Sequence, residues 1–246
     1  MGGVSELARR IGIAQPSVSN WDRVPAERVL SVEAATGVAR IRLRPDLYGE
    51  AAVTEADDVD AGRAQEYALL ASLLSAAPSQ QLLSALASLR GDATPLGVAH
   101  AALSDAADRT SAADAAREYF DLFVGLGRGE LLPYGSYYLA GFLNERPLAR
   151  LREDLARFGI ERTEATAEPE DHAAILCEIM SGLASGQLAA NPNAQREIFQ
   201  KHVAPWMGRM FADIERSAAA PKFYRYVGTL GRVFLDIEQQ AFALAG

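Results

Sequence analysis

The chain has 246 residues, of which 49% are hydrophobic and 23% charged, and its formal net charge is −8 at pH 7. This length suits one large domain or two smaller ones, and the apolar fraction supports a sizeable core. The acidic balance argues against a protein that binds nucleic acid or an anionic membrane along its whole length, and it favours a basic partner. The lone cysteine, Cys177, excludes an intramolecular disulfide.

The N-terminal residues carry no pattern of a secretory signal. The first 15 residues include Glu6, Arg9 and Arg10 and hold no continuous apolar segment. Together with the single cysteine, which fits a reducing compartment, this pattern predicts a cytoplasmic protein.

Residues 4–20 predict two short helices separated by a turn. An amphipathic helix over residues 4–11 is followed by Gly12, and a second helix begins near Gln15 with a proline in its first turn. Two short helices across a glycine-bearing turn are a helix-turn-helix candidate, whose second helix would present polar side chains to base edges while arginines reach phosphates. The candidate DNA-binding residues are Gln15, Ser17, Ser19, Asn20 and Arg23, with Arg9 and Arg10 as further phosphate contacts.

Three further segments continue this pattern to residue 48. They are Val24-Pro25-Ala26-Glu27-Arg28, Val32-Glu33-Ala34-Ala35-Thr36-Gly37 and Leu43-Arg44-Pro45-Asp46. With them, residues 2–48 resemble the Cro/YdaS-like helix-turn-helix family. Such domains usually begin with one more helix before the position of Gly2 and Gly3, so we expect either that this first helix is missing or that the start of the chain is assigned too late.

The charge of this segment weakens the DNA-binding interpretation. Residues 1–50 hold seven arginines and six acids, so their net charge is +1. Phosphate contacts supply most of the non-specific affinity for DNA, and a module with this charge makes few of them. The alternatives are that this segment is a vestige or that it is a helical cap packed on the main domain. As a cap it would have an apolar face, formed by Trp21, Val29, Val32 and Ile41, that the main domain covers.

An acidic segment follows over residues 49–62. It contains Glu50, Glu55, Asp57, Asp58 and Asp60 and shows no apolar periodicity. This composition is typical of a solvated linker. We predict that it separates the first 48 residues from a domain over residues 63–246.

From residue 63 onward the sequence predicts an all-α domain. Apolar residues recur at helical spacing, glycines and prolines fall between the segments, and no convincing alternating strand occurs. We predict a bundle of about ten helices over residues 63–77, 79–90, 96–107, 111–126, 135–144, 147–158, 170–185, 191–201, 204–218 and 221–243. The stretch from Tyr67 to Leu89 is free of charge, but Pro78 divides it, so we predict two helices and no membrane insertion.

Three spaced motifs mark residues 130–172 of this domain. They read Glu-x-x-Pro-Tyr-x-Ser-x-Tyr from Glu130, Pro-Leu-x-x-Leu-Arg over residues 147–152, and Glu-Pro-x-Asp-His from Glu168. With these motifs, and with the tail Phe199-x-x-His202-x-x-Pro205-Trp206, residues 63–243 resemble the TorD/DmsD family. The resemblance implies a TorD-like helical bundle. It also implies a cytoplasmic chaperone that matures molybdenum enzymes carrying a twin-arginine export signal.

The same resemblance implies a binding site for the twin-arginine signal peptide of an apo-molybdoenzyme. Such a peptide has two arginines followed by a hydrophobic run, and its complement is an apolar groove with carboxylates at one end. The signal-peptide-binding residues that we assign are Tyr134, Ser136, Tyr137, Glu168, Pro169, Asp171 and His172. From the residues alone, core packing of the tyrosines and ordinary helix capping are the alternatives, with Pro169 at the first helical position and acids beside it.

No pattern in the chain indicates catalysis, a metal site or a bound cofactor. The glycine-rich loop over residues 125–129 lacks the strand and the Lys-Ser/Thr of a phosphate loop. No metal-ligand spacing relates Cys177, His100, His172 and His202. We therefore predict a non-enzymatic chaperone, with a homodimer left open. The alternative is a transcriptional regulator that binds DNA through residues 1–48 and senses a ligand or client with its TorD-like domain.

Overall fold

The computed structural model describes residues 4–21, 23–48, 50–161, 168–188, 191, 193–217 and 223–244, with the backbone alone at 46, 48 and 50–57. In these residues every named element is a helix and no β-strand occurs, so the predicted all-α class is confirmed. The chain divides into two compact units, Met1–Ala61 and Gly62–Gly246, whose boundary falls within the segment predicted as a linker.

The first unit consists of short helices. Its elements are α1 (Val4–Arg10), α2 (Gln15–Ser19), a 3-10 turn (Ala26–Arg28), α3 (Val29–Thr36), α4 (Arg40–Leu43) and α5 (Pro45–Tyr48). The turn between α1 and α2 passes through Gly12 at a φ of 70°, a left-handed conformation that glycine adopts without steric cost. The two helices predicted over residues 4–20 are therefore confirmed.

The apolar face predicted in the first unit is only partly exposed. Val29 and Val32 are buried, Trp21 is half-buried and Ile41 is exposed. The expectation of a missing first helix concerns the residues before Val4, which lie outside the described residues.

The ten predicted helices of the bundle all occur. They are α6 (Glu50–Ser75), α7 (Gln80–Leu86), α8 (Pro95–Asp108), α9 (Ala112–Tyr119), α10 (Gly135–Ala140), α11 (Arg146–Arg157), α12 (Ala173–Ala184), α13 (Ala194–Ile198), α14 (Met207–Arg216) and α15 (Phe223–Leu244). Two of them, α9 and α13, continue into π-helical turns at Phe120–Val124 and Phe199–Val203.

The segment predicted as an acidic linker is helical from Glu50 onward, because α6 begins there and not at residue 63. The prediction relied on the absence of apolar periodicity. This segment contains no proline and holds four alanines and two glutamates, residues with high intrinsic helix propensity. A helix can therefore form over these residues without an apolar face.

The charge-free stretch from Tyr67 to Leu89 is divided as predicted. α6 ends at Ser75, and the hydroxyl of Ser79 accepts a hydrogen bond from the amide of Leu82 to cap α7. Among the helices of the described residues, none combines the length and the apolar character that a bilayer span requires.

The core of the second unit gathers side chains from most of its helices. The largest fully buried side chains are Trp206, Tyr67, Tyr224, Phe199, Phe211 and Phe223. α14 and α15 approach so closely that a side chain at Gly231 would overlap the ring of Phe211. Trp206 is fixed in this core beside the first residue of α10, because a Cβ atom at Gly135 would lie 3.1 Å from the indole nitrogen.

Candidate functional site

Two segments that are distant in the sequence meet at the start of α10. Tyr134 and His172 form an isolated antiparallel bridge. The amide of Gly135 donates to the carbonyl of Asp171 at 2.9 Å. The Pro-Tyr-x-Ser motif and the Asp-His motif, which the sequence predicts to act together, therefore lie side by side.

The carboxylate of Asp171 is buried at this junction, with the residue 3% exposed. Its Oδ2 accepts a hydrogen bond from the backbone amide of Ser136 at 2.6 Å. Its Oδ1 and the hydroxyl oxygen of Ser136 are both buried and have no hydrogen-bond partner. A buried polar group without a partner costs about 1–3 kcal/mol, and such groups are rare in native proteins. These two atoms mark a place where a ligand's hydrogen-bond donors fit.

A cavity of about 200 Å³ is lined by Asp171 and Ser136, and we call it the Asp171 cavity. Its lining residues are Tyr134, Ser136, Leu143, Asn144, Pro169 and Asp171. Leu143 and its neighbour Phe142 are exposed, Phe142 to 70%. The cavity thus combines a buried carboxylate with exposed apolar side chains, a pairing typical of binding surfaces.

Sequence reasoning missed Leu143 and Asn144 as lining residues. It extended a helix over residues 135–144, whereas α10 ends at Ala140 and Gly141 follows it in the left-handed conformation, at a φ of 84°. A glycine after a short helix is the usual signal for a helix end. That signal would have assigned the residues after Gly141 to a loop.

Tyr134, which lines the Asp171 cavity, is bound through its hydroxyl to Glu168, which lines a second cavity. The Tyr134 hydroxyl donates to Glu168 Oε2 at 2.6 Å. Burial and the adjacent Glu168 carboxylate raise the pKa of this hydroxyl, so it stays protonated as a donor. Both residues were predicted as binding residues, and the structure brings them together through their side chains.

His172 caps α12 instead of facing the Asp171 cavity. Its Nδ1 accepts the amide hydrogen of Ala174 at 3.1 Å, and its ring packs edge-to-face on Tyr134 with centroids 4.9 Å apart. Burial lowers the pKa of the imidazole, which fits a neutral acceptor. The predicted helix start at residue 170, with Pro169 at its first position, is wrong: the helix begins at Ala173. The cap is a histidine and not one of the acids.

A second cavity is lined by other residues of the same segment, Glu168 and Glu170. Its volume is about 250 Å³, it is lined by residues of α11 and α12, and we call it the glutamate groove. Its apolar lining residues are Leu155, Ile160, Ile175, Ile179 and Leu188, and its acidic ones are Glu161, Glu168, Glu170 and Glu178. Arg152 of α11 forms an ion pair with Glu170, with 2.7 Å between Nη2 and Oε2. This groove matches the predicted complement of a basic segment followed by an apolar one.

Tyr137 lies outside both cavities. Its hydroxyl accepts a hydrogen bond from Arg128 at 2.6 Å, and the same guanidinium lies 5.2 Å from the ring centroid. Tyr119 and Phe123 pack against the core, whereas Leu126 is 98% exposed.

The tail motif from Phe199 to Trp206 packs against the first residue of α10. The indole nitrogen of Trp206 donates to the carbonyl of His202 at 2.6 Å, and its ring lies 5.5 Å from that of Tyr138. The imidazole Nε2 of His202 lies 2.8 Å from the Asp154 carboxylate. Since Trp206 also contacts Gly135, this motif supports the start of α10 and does not line the Asp171 cavity.

In the first unit, all five candidate DNA-binding residues are exposed. They are Gln15, Ser17, Ser19, Asn20 and Arg23. The two arginines predicted to contact phosphates, Arg9 and Arg10, both donate to Glu6, at 2.6 Å and 2.9 Å. Part of the positive charge of this unit is therefore paired internally.

Comparisons with known proteins follow the same division of the chain. The sequence profile of the bacterial toxin YdaS family matches residues 1–52. A chaperone protein TorD of Vibrio cholerae is 34% identical over 116 residues, covering 43% of this chain and 53% of that protein. TorD chaperones of Aliivibrio fischeri and Vibrio parahaemolyticus are 28% and 26% identical, over 51% and 56% of this chain and 63% and 68% of those proteins.

The chain spans about half the length of the first of these curated relatives. The profile of the nitrate reductase delta subunit family matches residues 89–212, which is half of the chain and includes both walls of the Asp171 cavity. The chain therefore belongs to the nitrate reductase delta subunit family, which is the TorD family that the motifs between residues 130 and 172 indicate.

Proposed function

We propose that this protein is a cytoplasmic, non-enzymatic chaperone for a molybdenum-containing oxidoreductase. It binds the twin-arginine signal peptide of the apoenzyme, assists insertion of the cofactor and delays export until the enzyme is complete. The observation that carries this proposal is the buried carboxylate of Asp171, a residue that lines the Asp171 cavity and whose Oδ1 has no hydrogen-bond partner.

The chemistry of that position favours a guanidinium. A carboxylate and an arginine side chain form charge-assisted hydrogen bonds with matched geometry. The unpartnered Ser136 hydroxyl beside Asp171 offers a further acceptor. One arginine of a peptide would therefore supply donors to both buried atoms.

The glutamate groove suits the rest of such a peptide. Its apolar walls from α11 and α12 offer burial for a hydrophobic run, and its four glutamates attract the basic end. The net charge of −8 for the whole chain favours the same class of partner.

Calorimetry with the full chain tests this function. The titrants are synthetic peptides with the twin-arginine signals encoded near its gene, and the same peptides with both arginines replaced by alanine serve as controls. We expect binding of at least one arginine-containing peptide and a large loss of affinity for its alanine control. If none of the arginine-containing peptides binds, the proposed function is wrong.

The second candidate is a DNA-binding regulator with a TorD-like sensor domain. It is favoured by the YdaS match over residues 1–52 and by the exposure of Gln15 and Asn20 on or beside α2. Gel-shift assays with DNA from upstream of its own gene test it. Sequence-specific retardation that weakens steeply with salt would support this candidate.

A further inference from the structure

The segment from Glu168 to Asp171 contributes alternate residues to the linings of two cavities, and we call it the wall. Glu168 and Glu170 line the glutamate groove, whereas Pro169 and Asp171 line the Asp171 cavity. The consecutive residues Glu170 and Asp171 therefore line different cavities.

These two carboxylates differ in their partners. Glu170 is held by Arg152, whose side chain is 51% exposed, while the Glu170 side chain is 13% exposed. Asp171 Oδ1 is buried and accepts no hydrogen bond. The Glu170 carboxylate is thus paired with a guanidinium of the protein, whereas the Asp171 carboxylate has an oxygen that could accept hydrogen bonds from the guanidinium of a ligand.

We propose that a peptide with two consecutive arginines straddles this wall, with one guanidinium on Asp171 and the other replacing Arg152 on Glu170. The inference rests on the proposed function and adds to it the reason why the two arginines must be adjacent. Consecutive side chains of an extended peptide point to opposite sides. Adjacent arginines therefore match adjacent carboxylates that serve opposite cavities.

The exchange at Glu170 keeps the charge of the groove constant. One guanidinium arrives from the peptide and Arg152 leaves for solvent, which its exposure allows without burying a new charge. Arg152 therefore acts as an internal competitor that a peptide with a single arginine on Asp171 does not have to displace.

The spacing of the arginines provides a test that needs no protein variant. Calorimetry with the full chain would compare peptides that differ only in containing Arg-Arg, Arg-Ala-Arg or a single arginine. Two arginines separated by one residue point to the same side, so we expect the Arg-Ala-Arg peptide to bind about tenfold more weakly than the Arg-Arg peptide. It should match the single-arginine peptide to within about twofold. Equal affinity of the Arg-Arg and Arg-Ala-Arg peptides would overturn the straddling arrangement, whereas no binding of the Arg-Arg peptide would overturn the proposed function itself.

Variants of the wall separate the two contacts. Glu170→Gln should lower the affinity of the Arg-Arg peptide to that of the single-arginine peptide, and Arg152→Gln should raise it about two- to fivefold by removing the competitor. The matched controls are Glu153→Gln and Arg150→Gln, at exposed positions on the same helix as Arg152. Circular dichroism checks that each variant is folded. An affinity of Arg152→Gln no higher than that of Arg150→Gln would show that Arg152 is not displaced.

Discussion

The Asp171 cavity and the exposed face of α2 are both predicted as binding surfaces, and they differ in how their polar groups are satisfied. In the cavity, two buried polar atoms, Asp171 Oδ1 and Ser136 Oγ, have no partner. On α2 the polar side chains are exposed to water, and the hydroxyl of Ser19 already donates to the carbonyl of Gln15. Water satisfies exposed groups at no cost, whereas burial without a partner costs free energy that a ligand can recover.

The two regions also differ in the charges that they offer to a ligand. The cavity and the neighbouring glutamate groove gather carboxylates that suit a cationic ligand. Residues 1–50, which include the candidate DNA-binding residues, carry a net charge of only +1, and Glu6 pairs with two of their arginines. The comparison teaches that a polar helix face alone is weaker evidence for a ligand than a buried group left without a partner.

The largest expected effect is on peptide binding by Asp171→Asn. This change keeps the shape of the side chain and an oxygen for the Ser136 amide, but removes the charge that the guanidinium needs. Loss of one partner of a buried charge pair costs about 2–5 kcal/mol, so calorimetry should show an affinity at least about thirtyfold lower.

Asp105→Asn is the matched control, because Asp105 is exposed on α8 and lines neither cavity. If Asp171→Asn and Asp105→Asn bind the peptide with equal affinity, Asp171 has only a structural role. The main difference between the Asp171 cavity and the face of α2 would then disappear.

A smaller effect is expected at the cap of α12. His172→Ala removes the acceptor of the Ala174 amide, and loss of an N-cap destabilises a protein by about 0.5–2 kcal/mol. His172→Asn is the control, because asparagine is a good N-cap and does not titrate. Chemical unfolding of both variants measures the difference.

The His172 cap also makes the free energy of unfolding depend on pH, in a direction that its pKa shift determines. Burial lowers the pKa of His172 from its ordinary value of 6.5, although Glu168 and Asp171 oppose the shift. The imidazole of His172 is therefore protonated at a higher pH in the unfolded chain than in the folded one. The contribution of the neutral imidazole to the free energy of unfolding is complete above pH 6.5 and is lost as the pH falls through the pKa of the folded state. Hydrogen exchange at the Ala174 amide should accelerate on acidification relative to that in His172→Asn. Identical pH profiles in the two proteins would contradict the cap.

Removal of residues 1–54 tests whether peptide binding and stability of the second unit depend on the N-terminal helices. The lining residues of both cavities and the main core cluster lie after residue 62, so a chain that starts at Glu55 should bind the Arg-Arg peptide with unchanged affinity. Its main melting transition should also be unshifted. A large drop in melting temperature, or aggregation of the shorter chain, would instead identify the first 48 residues as a structural cap.

The smallest expected effect concerns DNA. Residues 1–50 have a net charge of +1, and a module with this charge neutralises few phosphates, so we expect the slope of log affinity against log salt concentration to be about −1 to −2. Gln15→Ala should then change gel-shift affinity little. A slope steeper than about −5, or a loss of sequence preference in Gln15→Ala, would make the α2 face the stronger of the two binding surfaces.

The sequence by itself determines the all-α class and the order of the ten bundle helices. Apolar residues at helical spacing and breakers such as Pro78 act locally, and local signals are readable without the fold. The motifs around Tyr134 and Asp171 likewise identify the family before any coordinate is known. The predicted starts of two helices were wrong, because α6 extends back to Glu50 and α12 begins only at Ala173.

Only the tertiary structure decides which motif residues share a cavity. The antiparallel bridge at Tyr134 and His172 turns Asp171 toward Ser136 and leaves one oxygen unpartnered, whereas it turns His172 into a cap. The division of Glu170 and Asp171 between two cavities depends on which elements pack around each: residues of α11 and α12 line the glutamate groove, and residues at the start of α10 and in the loop after it line the Asp171 cavity. These are long-range contacts, and a linear pattern of residues does not encode which side of a segment faces which neighbour.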